Sequence, residues 1–272
     1  MVEPFEILLQ VFLGFGVGVI GALLGIGGGF IVVPFLLLYH GFSPGWAAGT
    51  SLLVVLINAL SGFIAFFRQK RVDIKMATAF TIGSVPGSII GSVSTAFLSS
   101  AIFRILFAGA LGAAAAYLIS RPEVGVGGEG VVKGGRTRKL VDSAGREYSY
   151  VLNLPLVSLF AVLSGFIAGF FGVGGGIVNV PVMVIFLGVP AHIATATSHL
   201  VLVVTSATGI ATHASLGHVE LLTGMLIGAG ALFGAQAGAK ISQKLRGRTI
   251  EILLALFLIV IALSLIIQSL TS

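Results

Sequence analysis

A glycine-rich stretch occurs twice in this chain. It reads GIGGGFIVVP from Gly25 to Pro34 and GVGGGIVNVP from Gly172 to Pro181, 147 positions apart. Both copies are embedded in strongly apolar sequence. Glycine has no Cβ, so a run of it lets a helix break and the backbone take positive φ values. Within a bilayer such a break survives only where protein or a water-filled cavity surrounds it. Two matched breaks in the two halves of one chain therefore predict a binding site where the halves meet.

The bilayer itself is implied by composition. Of the 272 residues, 57% are hydrophobic and 9% charged, against roughly 45–50% and about 25% in soluble domains. The start, MVEPFEILLQ, carries Glu3 and Glu6 and no basic n-region, so it reads as the beginning of the first membrane segment rather than a leader. There is no cysteine, which excludes disulfides and thiolate metal sites. The net charge of +6 is no nucleic-acid signal, because the basic residues gather in a few inter-helix loops, where membrane topology is encoded. No metal, no cofactor and no nucleic-acid partner is expected.

The apolar runs cover about 5–24, 30–39, 44–67, 74–97 and 102–119, then 153–171, 177–187, 190–214, 220–241 and 250–268. Ser43-Pro44 has the pattern of a helix start, with Ser at the N-cap and Pro just inside. The stretch 121–150 is polar and Gly-rich. Within it, TRKLVDSAGREYSY holds two short alternating runs about a DSAG turn, which predicts a small β-hairpin. The runs 30–39 and 177–187 are short for a crossing that needs about 20 residues. Each half therefore reads as a Gly-broken helix or re-entrant hairpin followed by three spanning helices.

Sliding the chain by 147 aligns 25–91 with 172–238 without a gap, with 17 identities in 67 positions. The glycines of the two clusters, Thr50-Ser51 with Thr197-Ser198, and Gly83, Gly87 and Gly91 with Gly230, Gly234 and Gly238 fall in register. Asp73 meets Glu220. Apolar bias does not place glycines and Thr-Ser pairs in register, so the chain is a duplication. An odd number of segments per half puts the 68–71, 121–150 and 240–248 loops, all basic, on one side. The positive-inside rule makes that side cytosolic and both termini external. Odd parity makes the halves inverted relative to each other. The expected organisation is an N-terminal transmembrane repeat, 1–120, a cytosolic loop, 121–150, and a C-terminal transmembrane repeat, 151–272.

Gly27, Gly28 and Gly29, and Gly174, Gly175 and Gly176, each precede a helical run. Consecutive backbone N–H groups in Gly-rich turns and at helix N-termini suit an anion. The alternative is close helix packing by small residues. Thr50, Ser51, Thr197 and Ser198 lie about two turns into their helices. Their hydroxyls can donate to an oxyanion, or bond their own carbonyl four residues back. His199 is the most polar group deep in a span, and its repeat mate is Leu52. It reads either as a proton-coupling group or as a neutral packing histidine. Asn58 and Asn179 are further buried polar candidates, and Asn179 stands where the first half has Val32. His213 and His218 are expected near the outer surface. Asp73 and Glu220 sit at helix starts, where an acid suits the dipole. No Asp or Glu lies deep in an expected span, which favours an anionic substrate over a cation.

These residues carry a resemblance over nearly the whole chain. The doubled Gly cluster followed by Pro, the Thr-Ser pairs and the glycine-studded later helix resemble the sulfite exporter TauE/SafE family. VDSAGREYSY is similar to the cytosolic loop of its longer members. The resemblance implies a cytoplasmic-membrane transporter whose cargo is sulfite or a small organosulfonate, usually exported. The expected partners are this small anion, the lipid bilayer and a coupling ion, H+ or Na+. Oligomer formation stays open. The competing readings are an anion channel or uniporter and a non-transporting membrane sensor or scaffold; an enzyme is not expected, since buried carboxylate pairs, Cys nucleophiles and HExxH are lacking.

Overall fold

The computed structural model describes residues 4–120, 136–152, 154–242, 255–256 and 258–267. Glu3, all of 121–135 with Lys133, and Lys244, Arg246 and Arg248 of the basic 240–248 loop lie outside the described residues. The chain is mostly helical. In order come α1 (Pro4–Leu24), α2 (Gly29–Leu38), α3 (Pro44–Arg68), α4 (Ile74–Thr95), α5 (Ser100–Ser120), β1 (Arg136–Val141), β2 (Glu147–Leu152), α6 (Leu154–Phe171) and α7 (Gly176–Pro181). A π-helical turn, Val182–Phe186, continues α7, and α8 (Ala191–Ser215), α9 (Leu221–Ile241) and α10 (Leu258–Ile267) follow. Six of these, α1, α3, α4, α5, α8 and α9, are long and apolar enough to cross a membrane.

Local chemistry sets the helix ends. Ser43 is extended at the N-cap of α3 with Pro44 behind it. Asp73 caps α4 by accepting from the Met76 amide at 3.2 Å, and Glu220 caps α9 by accepting from the Leu222 and Thr223 amides. Both glycine clusters are breaks, as expected. Gly28 and Gly175 hold φ of +85° and +83° at the N-caps of α2 and α7, a left-handed geometry that a side chain resists. α2 has only 10 residues, about 15 Å of rise. It turns back beside α1, since Gln10 Nε2 and His40 Nε2 lie 3.3 Å apart. Pro181 brings no N–H to the second short helix, and the following turn widens until the Leu187 amide bonds Val182 O, five residues back.

The two halves are interlaced. The first helix of each half packs along the fourth helix of the other, α1 on α9 and α6 on α4. Small residues let these backbones touch. A Cβ on Gly87 of α4 would lie 2.2 Å from Val162 O, and one on Gly234 of α9 would lie 2.1 Å from Phe15 O. Val162 and Phe15 are themselves 147 positions apart, so the same contact is made twice. In the middle α3 meets α8. The main apolar cluster gathers Phe30, Leu36, Phe103, Phe107, Leu111 and Leu258 from both halves.

The hairpin foreseen in the central stretch is present, antiparallel with Arg138 opposite Tyr150 and Leu140 opposite Tyr148. Its turn is built by Asp142, whose Oδ1 accepts from the Ala144 and Arg146 amides at 2.8 and 3.0 Å. The hairpin is not a free appendage. It docks on the α3–α4 loop, where Arg138 grips Asp73 with Nη2 at 2.9 Å and Nε at 3.2 Å. The Tyr150 hydroxyl donates to the same carboxylate. Arg71 reaches Asp142 at 3.4 Å, and the Ser143 amide donates to Gln69 O at 3.0 Å.

Candidate functional site

The two glycine loops stand face to face. A Cβ on Gly29 would lie 2.6 Å from Gly172 O, and a Cβ on Gly176 would lie 2.5 Å from Gly25 O. All residues of both loops from Gly25 to Gly29 and Gly172 to Gly176 are buried. Among the described residues, the amides of Gly28, Gly29 and Phe30 find no hydrogen-bond acceptor, nor do those of Gly174, Gly175, Gly176 and Ile177. A buried amide without a partner is costly, on the order of 1–3 kcal/mol, so the six of these that belong to buried residues, all but the half-buried Ile177, form a donor-rich centre.

The Thr-Ser pairs hold this centre together. Ser51 donates to Gly172 O and Ser198 to Gly25 O, each at 2.8 Å and each across to the other half's loop. The Glu220 amide donates to Thr50 Oγ1 at 2.9 Å, and the Asp73 amide donates to Thr197 Oγ1 at 3.0 Å. None of the four hydroxyls bonds its own helix four residues back. The serine protons are committed to carbonyls; the two threonine protons have no acceptor in the structure.

The asparagines behave differently from each other. Asn58 Nδ2 donates to Gly27 O at 2.9 Å, fastening the first loop, and its Oδ1 is buried without a partner. Asn179 Oδ1 accepts from Ser164 and its Nδ2 is a buried donor with no acceptor. Thr205, the repeat mate of Asn58, was not among the sequence candidates, yet it donates to Gly174 O at 3.0 Å. The signal was in the 147-residue register: a polar residue opposite a chosen polar residue.

His199 is brought elsewhere. Its ring packs on Phe66, with centroids 5.0 Å apart, and against Gly62 of α3. Nδ1 donates to Thr195 O at 2.9 Å, which leaves Nε2 of the neutral ring as a buried acceptor without a partner. His213, in the last turn of α8, is fully buried and donates from Nε2 to Gly169 O of α6 at 3.1 Å.

Asp73 links the site to the hairpin. Burial pushes its carboxyl up, but the Tyr150 hydroxyl, the Arg138 guanidinium and the Met76 amide together outweigh this and hold it below the usual carboxylate range. Asp142 behaves alike: burial raises it, and the Arg146 and Ala144 amides with Arg71 bring it down further.

Known proteins resemble this chain over nearly its whole length. Residues 10–265 match the family described as Sulfite exporter TauE/SafE. The probable membrane transporter protein YunE of Bacillus subtilis is 35% identical, with 97% of this chain and 98% of that protein covered. A probable membrane transporter protein of Methanocaldococcus jannaschii is 30% identical, with 94% and 93% covered. The chain belongs to the TauE/SafE family and is a multi-pass membrane transporter.

Proposed function

We propose that this member of the TauE/SafE family is a secondary transporter, in direction an exporter, of a small sulfur-containing oxyanion such as sulfite or an organosulfonate. It works by alternating access between two inverted repeats in the cytoplasmic membrane. Both termini lie outside, and the 68–71 loop, the hairpin and the 240–248 loop lie in the cytosol. The observation that carries the reading is the pair of adjoining buried glycine loops in which the amides of Gly28, Gly29, Gly174, Gly175 and Gly176 have no acceptor among the described residues. Aligned amides at helix starts complement a compact anion.

In this reading the amides of Gly28, Gly29, Gly175 and Gly176 bind the oxyanion, with Asn179 Nδ2 as a side-chain donor. Ser51 and Ser198 keep the two loops in register, and the free protons of Thr50 and Thr197 complete the shell as the site opens to one side or the other. Protonation of His199 turns Nε2 from an acceptor into a donor, which offers a route for proton coupling. The recurrence of contacts at a spacing of 147 supports two equivalent halves, each able to take the other's place in the cycle.

The test is sulfite movement in proteoliposomes under an imposed proton or sodium gradient. Uphill movement driven by one of these gradients is expected. Downhill flux alone would make the protein a uniporter. No flux, with no thermal stabilisation by sulfite, sulfonates or thiosulfate, would favour a sensor or scaffold.

A further inference from the structure

Val55 and Leu202 hold the same place in the two repeats and converge on the same point. A Cβ on Gly27 would lie 2.9 Å from Val55 Cγ1 and 3.3 Å from Leu202 Cδ1. A Cβ on Gly174 would lie 2.5 Å from Val55 Cγ1 and 2.8 Å from Leu202 Cδ2. Each glycine loop therefore touches both side chains, its own half's and the other's. Both are fully buried, and with Ala59 they form a small apolar cluster separate from the main core. Helical spacing accounts for their position. Val55 stands three residues before Asn58 on α3, and Leu202 three before Thr205 on α8. Each helix thus turns one polar and one apolar side chain toward the same glycine loop. The polar one holds a loop carbonyl. The apolar one makes no bond there and fills space.

We infer that Val55 and Leu202 form an apolar constriction between the two glycine loops and set the largest anion that the protein passes. This rests on the transport reading and adds selection by size to it. Methyl groups offer an oxyanion no hydrogen bond, so they act by excluding volume and by keeping water from the amides. Val and Leu at equivalent places make the two sides of the constriction unequal in bulk.

The test uses purified protein in proteoliposomes and three probes: sulfite, methanesulfonate and propane-1-sulfonate. Wild-type protein is expected to move sulfite faster than propane-1-sulfonate. Val55→Ala and Leu202→Ala are expected to raise the propane-1-sulfonate to sulfite ratio about tenfold, the discrimination that a few methylenes of wall provide. Val55→Phe is expected to slow all three probes. Leu202→Val trims one methylene and keeps the fold most safely; it must move the ratio in the same direction by a smaller factor, and it alone decides if the alanine variants do not reconstitute. An unchanged ratio in variants that reconstitute at wild-type yield and still move sulfite overturns the constriction and leaves the transport reading standing. Wild-type protein that moves none of the three overturns the transport reading, and the constriction with it.

Discussion

Ser51 Oγ donates to Gly172 O at 2.8 Å, and Ser198 Oγ donates to Gly25 O at the same distance. Each serine thus fastens the glycine loop of the half to which it does not belong. Removing either hydroxyl leaves a buried carbonyl without a donor, a cost of about 1–3 kcal/mol. Ser51→Ala and Ser198→Ala are each expected to lower the thermal midpoint in detergent by about 2–10 °C. Ser206→Ala is the control. Ser206 is equally buried but bonds only carbonyls of its own helix, and its loss is expected to cost under about 1 kcal/mol. Equal shifts for all three variants would show that the crossed bonds do not hold the halves together.

Docking of the hairpin depends on ionised Asp73 and Asp142. Both carboxyls are held below the unfolded value of 3.8. A depressed folded pKa contributes stability that is present above the unfolded value and lost as pH falls through the folded one. Hairpin docking is therefore expected to be level from neutrality down to about pH 4 and to weaken below it. Protection factors of amides in β1 and β2 measure this. Asp73→Asn should abolish most of the acid sensitivity at that end, because Arg138 and Tyr150 then meet no ionised carboxylate there. A hairpin that loosens between pH 8 and 6 would point to histidine instead.

Close glycine contacts between helices can be weighed against exposed glycines. A Cβ on Gly87 meets backbone, at 2.2 Å from Val162 O, whereas one on Gly109 meets nothing within 4 Å. Gly87→Ala is expected to separate α4 from α6 and cost several times the ~1 kcal/mol by which Gly109→Ala should stabilise its helix. Opposite signs of shift in thermal midpoint are the expected outcome.

The fold was legible in the sequence wherever the signal was local or repeated. The glycine breaks, the Ser43-Pro44 start, the DSAG turn and the 147-residue duplication need no knowledge of what packs on what. The crossed contacts were not legible. Thr50 pairs with Glu220 and not Asp73, a choice made by how α3 and α9 lie together. Val55 and Leu202 look like any other apolar residues of a membrane helix until their convergence on Gly27 and Gly174 is seen. The bond from His213 to Gly169 O was hidden for the same reason: nothing in its own helix announces that α6 lies against it.

Whether the glycine-loop centre binds an anion can be asked at Asn179 without breaking a loop. Its Nδ2 is a buried donor without an acceptor, and the equivalent residue in the first half is Val32. The direct measurement is calorimetric titration of the detergent-purified protein and of Asn179→Val with sulfite. Saturable binding by the wild type is expected, with an affinity about tenfold or more lower in the variant, the cost of one hydrogen bond to a charged group. Equal affinity in the two proteins, or no binding by a folded wild type, would contradict this expectation.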